Sequence, residues 1–264
     1  MTATTGRPAL RAGERGPTLG LLVLAKAPEA GRVKTRLCPP LTPVEAADLA
    51  AAALLDTLAA VRAVPGGRAV VALTGHLERA ARAGELAAAL RGVPTPAQRG
   101  RDLGHRIAAA HRDTAALLPG RPVVQLGMDT PQVDPDLLAE AAAPLRHGTV
   151  DAVVGPAADG GWWALGLRDP RAAAVIADVP TSRDDTGERT VAALRAAGLR
   201  VVLLPVLVDV DTAADAADVA REAPGTRFAA AVAALPAVAA LPAACCRNDD
   251  LALTNVPTRA GSVV

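Results

Sequence analysis

The residues best able to do chemistry fall in a few short segments. Residues 25–37, AKAPEAGRVKTRL, place Lys26, Arg32, Lys34 and Arg36 within eleven positions, with Pro28 and Gly31 shaping the backbone. Lysine supplies a compact positive charge and arginine a planar fork, both suited to diphosphate or triphosphate oxygens. A solvated basic turn is the plainer alternative. Lys34–Thr35 supplies the K-T pair of a P-loop, but Pro28 and Val33 stand where that motif needs glycine, so a Walker-type reading fails.

Acidic groups form the second set. In LGMDTP, Leu126 to Pro131, Asp129 follows an apolar run and is a candidate catalytic and metal-binding carboxylate. Aspartate is a hard anionic ligand suited to holding Mg²⁺ or Mn²⁺ against a diphosphate; a turn or capping role is the alternative. In DVDT, residues 209–212, Asp209 and Asp211 point the same way if the backbone is extended, and could share one cation. Alternatively, Asp211 caps the helix that follows. In GPAADGGWWALGL, residues 155–167, Asp159 is a second catalytic candidate, and Gly160 and Gly161 permit close backbone approach. Trp162 and Trp163 would face opposite sides of a strand, one inside and one toward a pocket. Trp163 is the substrate-binding candidate, with core filling as the alternative.

A weaker patch is QRGRDLGHR, residues 98–106, a glycine-containing loop entering a helix start that can receive an anion or nucleobase; Gly104 and Arg106 are its candidates. His105 and His111 lie six apart on different helix faces, without ligand spacing, and read as surface groups. Neither G-x-S-x-G nor H-E-x-x-H occurs, which removes support for hydrolase and zinc-protease readings.

These segments must be positioned by elements whose pattern alternates. Leu19–Ala25, Arg68–Thr74, Val93–Gln98, Pro122–Met128, Asp151–Gly155, Trp162–Leu167 and Arg200–Val208 read as strands. Helices are expected from Thr42–Pro43 to about Ala63, over Leu77–Leu90, from Asp102 to about Leu118, from Asp134–Pro135, over Thr186–Ala197 and over Thr212–Arg221. Thr, Asp and Pro at these starts are capping and first-turn types. Such alternation implies a Rossmann-like three-layer α/β/α sandwich with a mainly parallel central sheet. Ligands of such sheets bind beyond the carboxyl ends of the strands, where the basic loop and Asp129 fall.

The chain has 264 residues with a formal net charge of +1. No global field draws it to nucleic acid or to a membrane surface, so phosphate recognition must be local. One Phe, two Trp and no Tyr leave an aliphatic core. Residues 1–18 are expected to be a flexible tail without a signal-peptide core, residues 19–234 one α/β domain, and residues 235–264 an Ala-rich to polar, partly disordered tail. Cys38 is isolated and Cys245–Cys246 are adjacent, which fits a reduced, cytoplasmic setting. The pattern leaves the oligomeric state open.

In order, AKAPEAGRVKTRL, QRGRDLGHR, LGMDTP, PAADGGWWALGL and DVDTAADAADVA resemble the DUF2064 family over roughly residues 19–223. That family is described as CofC-like glycosyltransferases with a GT-A nucleotide-diphospho-sugar fold, some members being assigned to arsenosugar biosynthesis. The resemblance implies that Lys26, Lys34 and Arg36 meet nucleotide phosphates. It also implies that Asp129 is a metal-binding acid, that Asp209 and Asp211 bring further metal ligands, and that Asp159, Gly160 and Gly161 border the sugar or acceptor. TSRDDTGERT, residues 181–190, departs from the family pattern in being more polar and acidic. The expectation is a glycosyltransferase using a nucleotide-diphospho-sugar and a small-molecule acceptor. The alternative is a nucleotidyltransferase joining an NTP to a phosphorylated acceptor with pyrophosphate release, since the K-T-R-L element is similar to the guanylyltransferases of deazaflavin-cofactor synthesis.

Overall fold

The computed structural model describes residues 18–242; of the tails expected at 1–18 and 235–264, residues 1–17 and 243–264, with Cys245 and Cys246, lie outside the described residues. Six strands form the sheet: β1 (Leu19–Lys26), β2 (Gly67–Thr74), β3 (Val123–Leu126), β4 (Ala152–Pro156), β5 (Trp162–Leu167) and β6 (Val201–Leu203). Their order is β2-β1-β3-β5-β4-β6. β1 pairs in parallel with β2 and β3, and β4 with β6, while β5 runs antiparallel to both neighbours. The reversal of β5 matters for position. Its first residue, Trp162, opposes Pro156 at the end of β4, so the 157–161 connection sits at the carboxyl end of the parallel strands.

Alternation along the strands builds the layers. Leu19, Leu21, Val23 and Ala25 of β1, with Val124 and Leu126 of β3, pack beneath α1 (Pro43–Ala63), α2 (Ala83–Ala89) and α4 (Pro135–Arg146). Leu22 and Val123 face the opposite way, toward α3 (Leu103–Leu117). On that side Val154 and Leu165 meet the 3-10 segment Pro170–Ile176 and α5 (Thr186–Ala196). This is the expected three-layer sandwich.

The far side of α1 is covered in turn by α6 (Ala213–Glu222), α7 (Arg227–Ala233) and α8 (Pro236–Ala239), through Phe228, Val232 and Val238. A helix buried on both sides cannot show a narrow apolar stripe, and the alanines of α1 let its neighbours approach from both faces. Residues 236–239, expected in the C-terminal tail, are therefore helical and packed.

Three expected elements differ. The helix expected over 77–90 is broken at Arg82, whose left-handed backbone separates a 3-10 turn at 77–79 from α2; its guanidinium holds Asp48 at 2.7 and 2.6 Å. Residues 93–98 form no named strand. Pro94 and Pro96 accept from Val71 and Leu73 of β2 but have no N–H to return. The last strand spans only Val201–Leu203, because Pro205 interrupts it; pairing resumes as a bridge between Ala157 and Leu207.

Candidate functional site

The carboxyl ends of the strands surround a cavity of about 470 Å³. β1 contributes Leu24, Ala25 and Lys26, and β3 with its following turn contributes Gln125, Gly127, Met128, Asp129 and Thr130. The start of α3 brings Leu103, Arg106 and Ile107, and the β4–β5 connection brings Asp159 and Gly161. Residues 181–183 and Thr186 close another side.

Asp209 and Asp211 come from beyond β6. Ala158 donates to the Leu207 carbonyl, Leu207 to that of Pro156, and Val210 to the Asp129 carbonyl at 3.1 Å. These backbone bonds stitch the 207–211 segment along the β4 end and into the Asp129 turn. Asp129, Asp209 and Asp211 each present an oxygen within 4.8 Å of the others. The capping alternative for Asp211 does not hold. Thr212 is the N-cap of α6, in a reciprocal capping box with Asp215, so neither Asp209 nor Asp211 is consumed by that role.

Lys34 is drawn into this cluster. Its Nζ donates to Asp129 Oδ2 at 2.7 Å and to Asp211 Oδ1 at 3.1 Å, and its side chain is only 12% exposed. Burial opposes its charge, but Asp129 and Asp211 outweigh that, so its pKa is raised. Arg36, largely exposed, donates to Asp211 Oδ2 at 2.8 Å. Asp209 responds the other way. Burial first, then the charges of Asp159, Asp129 and Asp211, push its pKa up to about 6. An acid held this high by burial and by neighbouring like charges is a group that a cation would relieve. Three hard oxygen donors with one strained ionisation fit a divalent Mg²⁺ or Mn²⁺.

Several expected residues have other duties. Asp159 lines the cavity, and its Oδ1 accepts from the Gly161 backbone at 2.8 Å. Gly161 is on the wall, but Gly160 is absent from the lining. A Cβ on Gly160, at φ +86°, would overlap the Asp184 carbonyl, so this glycine serves the packing of two protein segments. Gly104 is likewise buried, and a Cβ there would overlap the Ala177 carbonyl; it admits close approach of α3 to the 170–177 segment, while Arg106 reaches the cavity. Trp163 packs into the core and donates Nε1 to the Pro205 carbonyl at 2.9 Å, and part of it also lines the cavity. The more open indole on the wall is Trp162. Lys26 lines the cavity, with Nζ donating to the Arg32 carbonyl at 2.7 Å.

His111, expected at the surface, is fully buried. It follows Ile107 by four residues and precedes Thr114 by three, one helix face turned to the sheet. Gln125 and Thr130 were not singled out by their sequence context. Both are buried on the cavity wall with unpartnered side-chain oxygens. A lone glutamine inside the apolar run PVVQLGM was the available signal for the first.

Residues 57–183 match a family model described as "Uncharacterized protein conserved in bacteria (DUF2064)". The chain is 33% identical over 129 residues to a phosphoenolpyruvate guanylyltransferase of Mycobacterium leprae strain Br4923, covering 49% of this chain. The same values hold for its counterpart in strain TN. The alignment spans 58% of the length of these curated relatives. A crystal structure of a candidate nucleotide-diphospho-sugar transferase from Desulfovibrio desulfuricans G20 is similar with a TM-score of 0.72 and 29% identity, covering 84% of this chain and 96% of that one.

Proposed function

We propose, for a chain whose residues 57–183 belong to the DUF2064 family, that it is a nucleotidyltransferase joining a nucleoside triphosphate to a small phosphorylated acid. The observation that carries this reading is the convergence of Asp129, Asp209 and Asp211 on one point, with Lys34 bonded into the group at the edge of a nucleotide-sized cavity. The named activity of the Mycobacterium leprae relatives favours this over the glycosyl transfer expected from the motifs. The description of the Desulfovibrio desulfuricans protein keeps sugar transfer as the second reading.

In the proposed reaction an acceptor phosphate oxygen attacks the α-phosphorus of the triphosphate. A new P–O bond forms, the bond to the β-phosphate breaks, and pyrophosphate leaves with the electron pair. Asp129, Asp209 and Asp211 would hold the divalent cation, which supplies charge neutralisation for the phosphate oxygens. Lys34, already committed to the cluster, is placed to pass its charge to phosphate once a cation satisfies the carboxylates, and Lys26 offers a second ammonium on the wall. Arg106 and Arg183 also line the cavity and suit a carboxylate or phosphate. Asp159 lines the cavity and fixes the Gly161 backbone through its Oδ1.

Product analysis tests the reading. Incubation of the protein with Mg²⁺, GTP and phosphoenolpyruvate or related phosphorylated hydroxy acids is expected to release pyrophosphate and form a nucleotidylated acid. Nucleoside diphosphate released from sugar nucleotides, with no pyrophosphate from any NTP, would replace it with the second reading.

A further inference from the structure

The cavity wall includes Gln125, a buried polar residue that phosphate chemistry does not use. Gln125 is the third residue of β3, opposite Leu22 of β1 and Leu165 of β5. Its strand neighbours are aliphatic and it is 2% exposed, a position where an apolar side chain would satisfy the fold. Its Oε1 is sealed from solvent without a hydrogen-bond partner, as are both ring nitrogens of fully buried His111. Unpaired buried polar atoms are unfavourable, so each of these atoms calls for a partner, in the neighbouring side chain or in a ligand.

The pair has an orientation. Burial holds the imidazole pKa down to about 4, with Gln125 acting in the opposite sense; the two side chains are neighbours whose geometry falls short of a hydrogen bond. A neutral imidazole has one N–H to donate. Turned toward Gln125 it takes the amide oxygen, leaving the amide N–H groups for the cavity. Leu24, Leu103 and Ile107 give the same cavity aliphatic wall, and a second amide, Gln98, also lines it. The Gln98 nitrogen is fixed by the carbonyls of Ala25 and Ala72 at 2.8 and 2.9 Å, so its oxygen is the group left to offer. An aliphatic slot with one amide donor and one amide acceptor suits the edge of a neutral heterocycle better than a carboxylate or phosphate. Gln125 also precedes Asp129 by four residues, a span of at most ~14 Å of chain, compatible with one nucleotide reaching from base to phosphate.

We propose that Gln125, oriented by His111 behind it, reads the nucleobase of the bound nucleotide and sets its selectivity. His111 is a positioning residue and does not itself reach the ligand. The inference rests on the nucleotide reading above.

The test is binding of ATP, GTP, CTP and UTP, each with Mg²⁺, to the wild-type protein and to Gln125→Leu and Gln125→Met. The wild type is expected to prefer one base. Both variants are expected to lose at least about tenfold of that preference, the worth of one buried hydrogen bond, while pyrophosphate affinity is unchanged and the melting temperature is not lowered. His111→Leu is expected to weaken the preference in the same direction, and His111→Asn, which keeps a donor, to restore part of it. Unchanged base preference in both Gln125 variants, or a wild type that binds the four bases equally, overturns the inference and leaves the nucleotide reading standing. A wild type that binds no NTP removes both.

Discussion

Lys34 and Asp209 are two sides of the same charge balance. The Lys34 ammonium rests on the oxygens of Asp129 and Asp211 that a cation would take, so in the metal-free protein it competes with metal. At these distances a charge pair interacts by a few kcal/mol even at an effective dielectric near 20. Lys34→Met is therefore expected to tighten Mn²⁺ binding by about tenfold or more in the absence of nucleotide, while weakening NTP binding; a metal titration showing weaker Mn²⁺ binding would contradict this. Asp209 supplies the pH dependence. Its folded pKa of about 6 lies above the ordinary carboxylate value of 3.8, so the fold favours the protonated form. Stability without metal then falls as pH rises between about 4 and 6, and cation binding, which needs the carboxylate, rises through the same window. Metal-free Asp209→Asn is expected to melt above the wild type at pH 7–8 and level with it near pH 4. Melting curves across that range in which the wild type is the more stable at pH 8 would refute the assignment.

Among the elements, the antiparallel strand β5 does most to assemble the site, because its reversal brings residues 157–161 back to the carboxyl ends of the other strands. Gly160 seals that connection against residues 184–187: its amide donates to the Ala157 carbonyl, and its own carbonyl accepts from Gly187 at 2.8 Å. A methyl group at Gly160 would meet the Asp184 backbone at a positive φ, and neither side can yield by a rotamer change. Gly160→Ala is expected to destabilise the protein by about 3 kcal/mol, near the upper end of ordinary single substitutions, as read by chemical denaturation. A change under about 0.5 kcal/mol would show that the connection is not held as described. Much of this arrangement was legible in the sequence, because buried strands and capped helices leave local signals. LGLLVLA gave β1, and Thr42–Pro43 gave the start of α1. Much of what was hidden depends on distant partners: the break at Arg82 follows from Asp48 and the role of Gly104 from Ala177, whereas the short β6 follows from Pro205, a breaker within the expected strand itself. Asp129 was readable from its place after an apolar run. The burial of His111 required knowing which face of α3 meets the sheet.

For the whole molecule, a formal net charge of +1 leaves recognition to the local cluster rather than to a long-range field. No helix among the described residues is long and apolar enough to cross a membrane. Ligand binding to such a protein stabilises it by mass action, about 2.7 kcal/mol at a hundredfold excess over Kd, so Mg²⁺ with the preferred NTP is expected to raise Tm by roughly 5–10 °C. The account stands most directly on whether the three carboxylates hold a divalent cation for the nucleotide. Electron paramagnetic resonance of free Mn²⁺, titrated with protein in the presence and absence of GTP, measures this. The wild type is expected to take up Mn²⁺ at Asp129, Asp209 and Asp211, more tightly with GTP, and Asp129→Asn to lose that uptake by at least about tenfold. Equal Mn²⁺ uptake by the wild type and Asp129→Asn, with no effect of GTP on either, would contradict it.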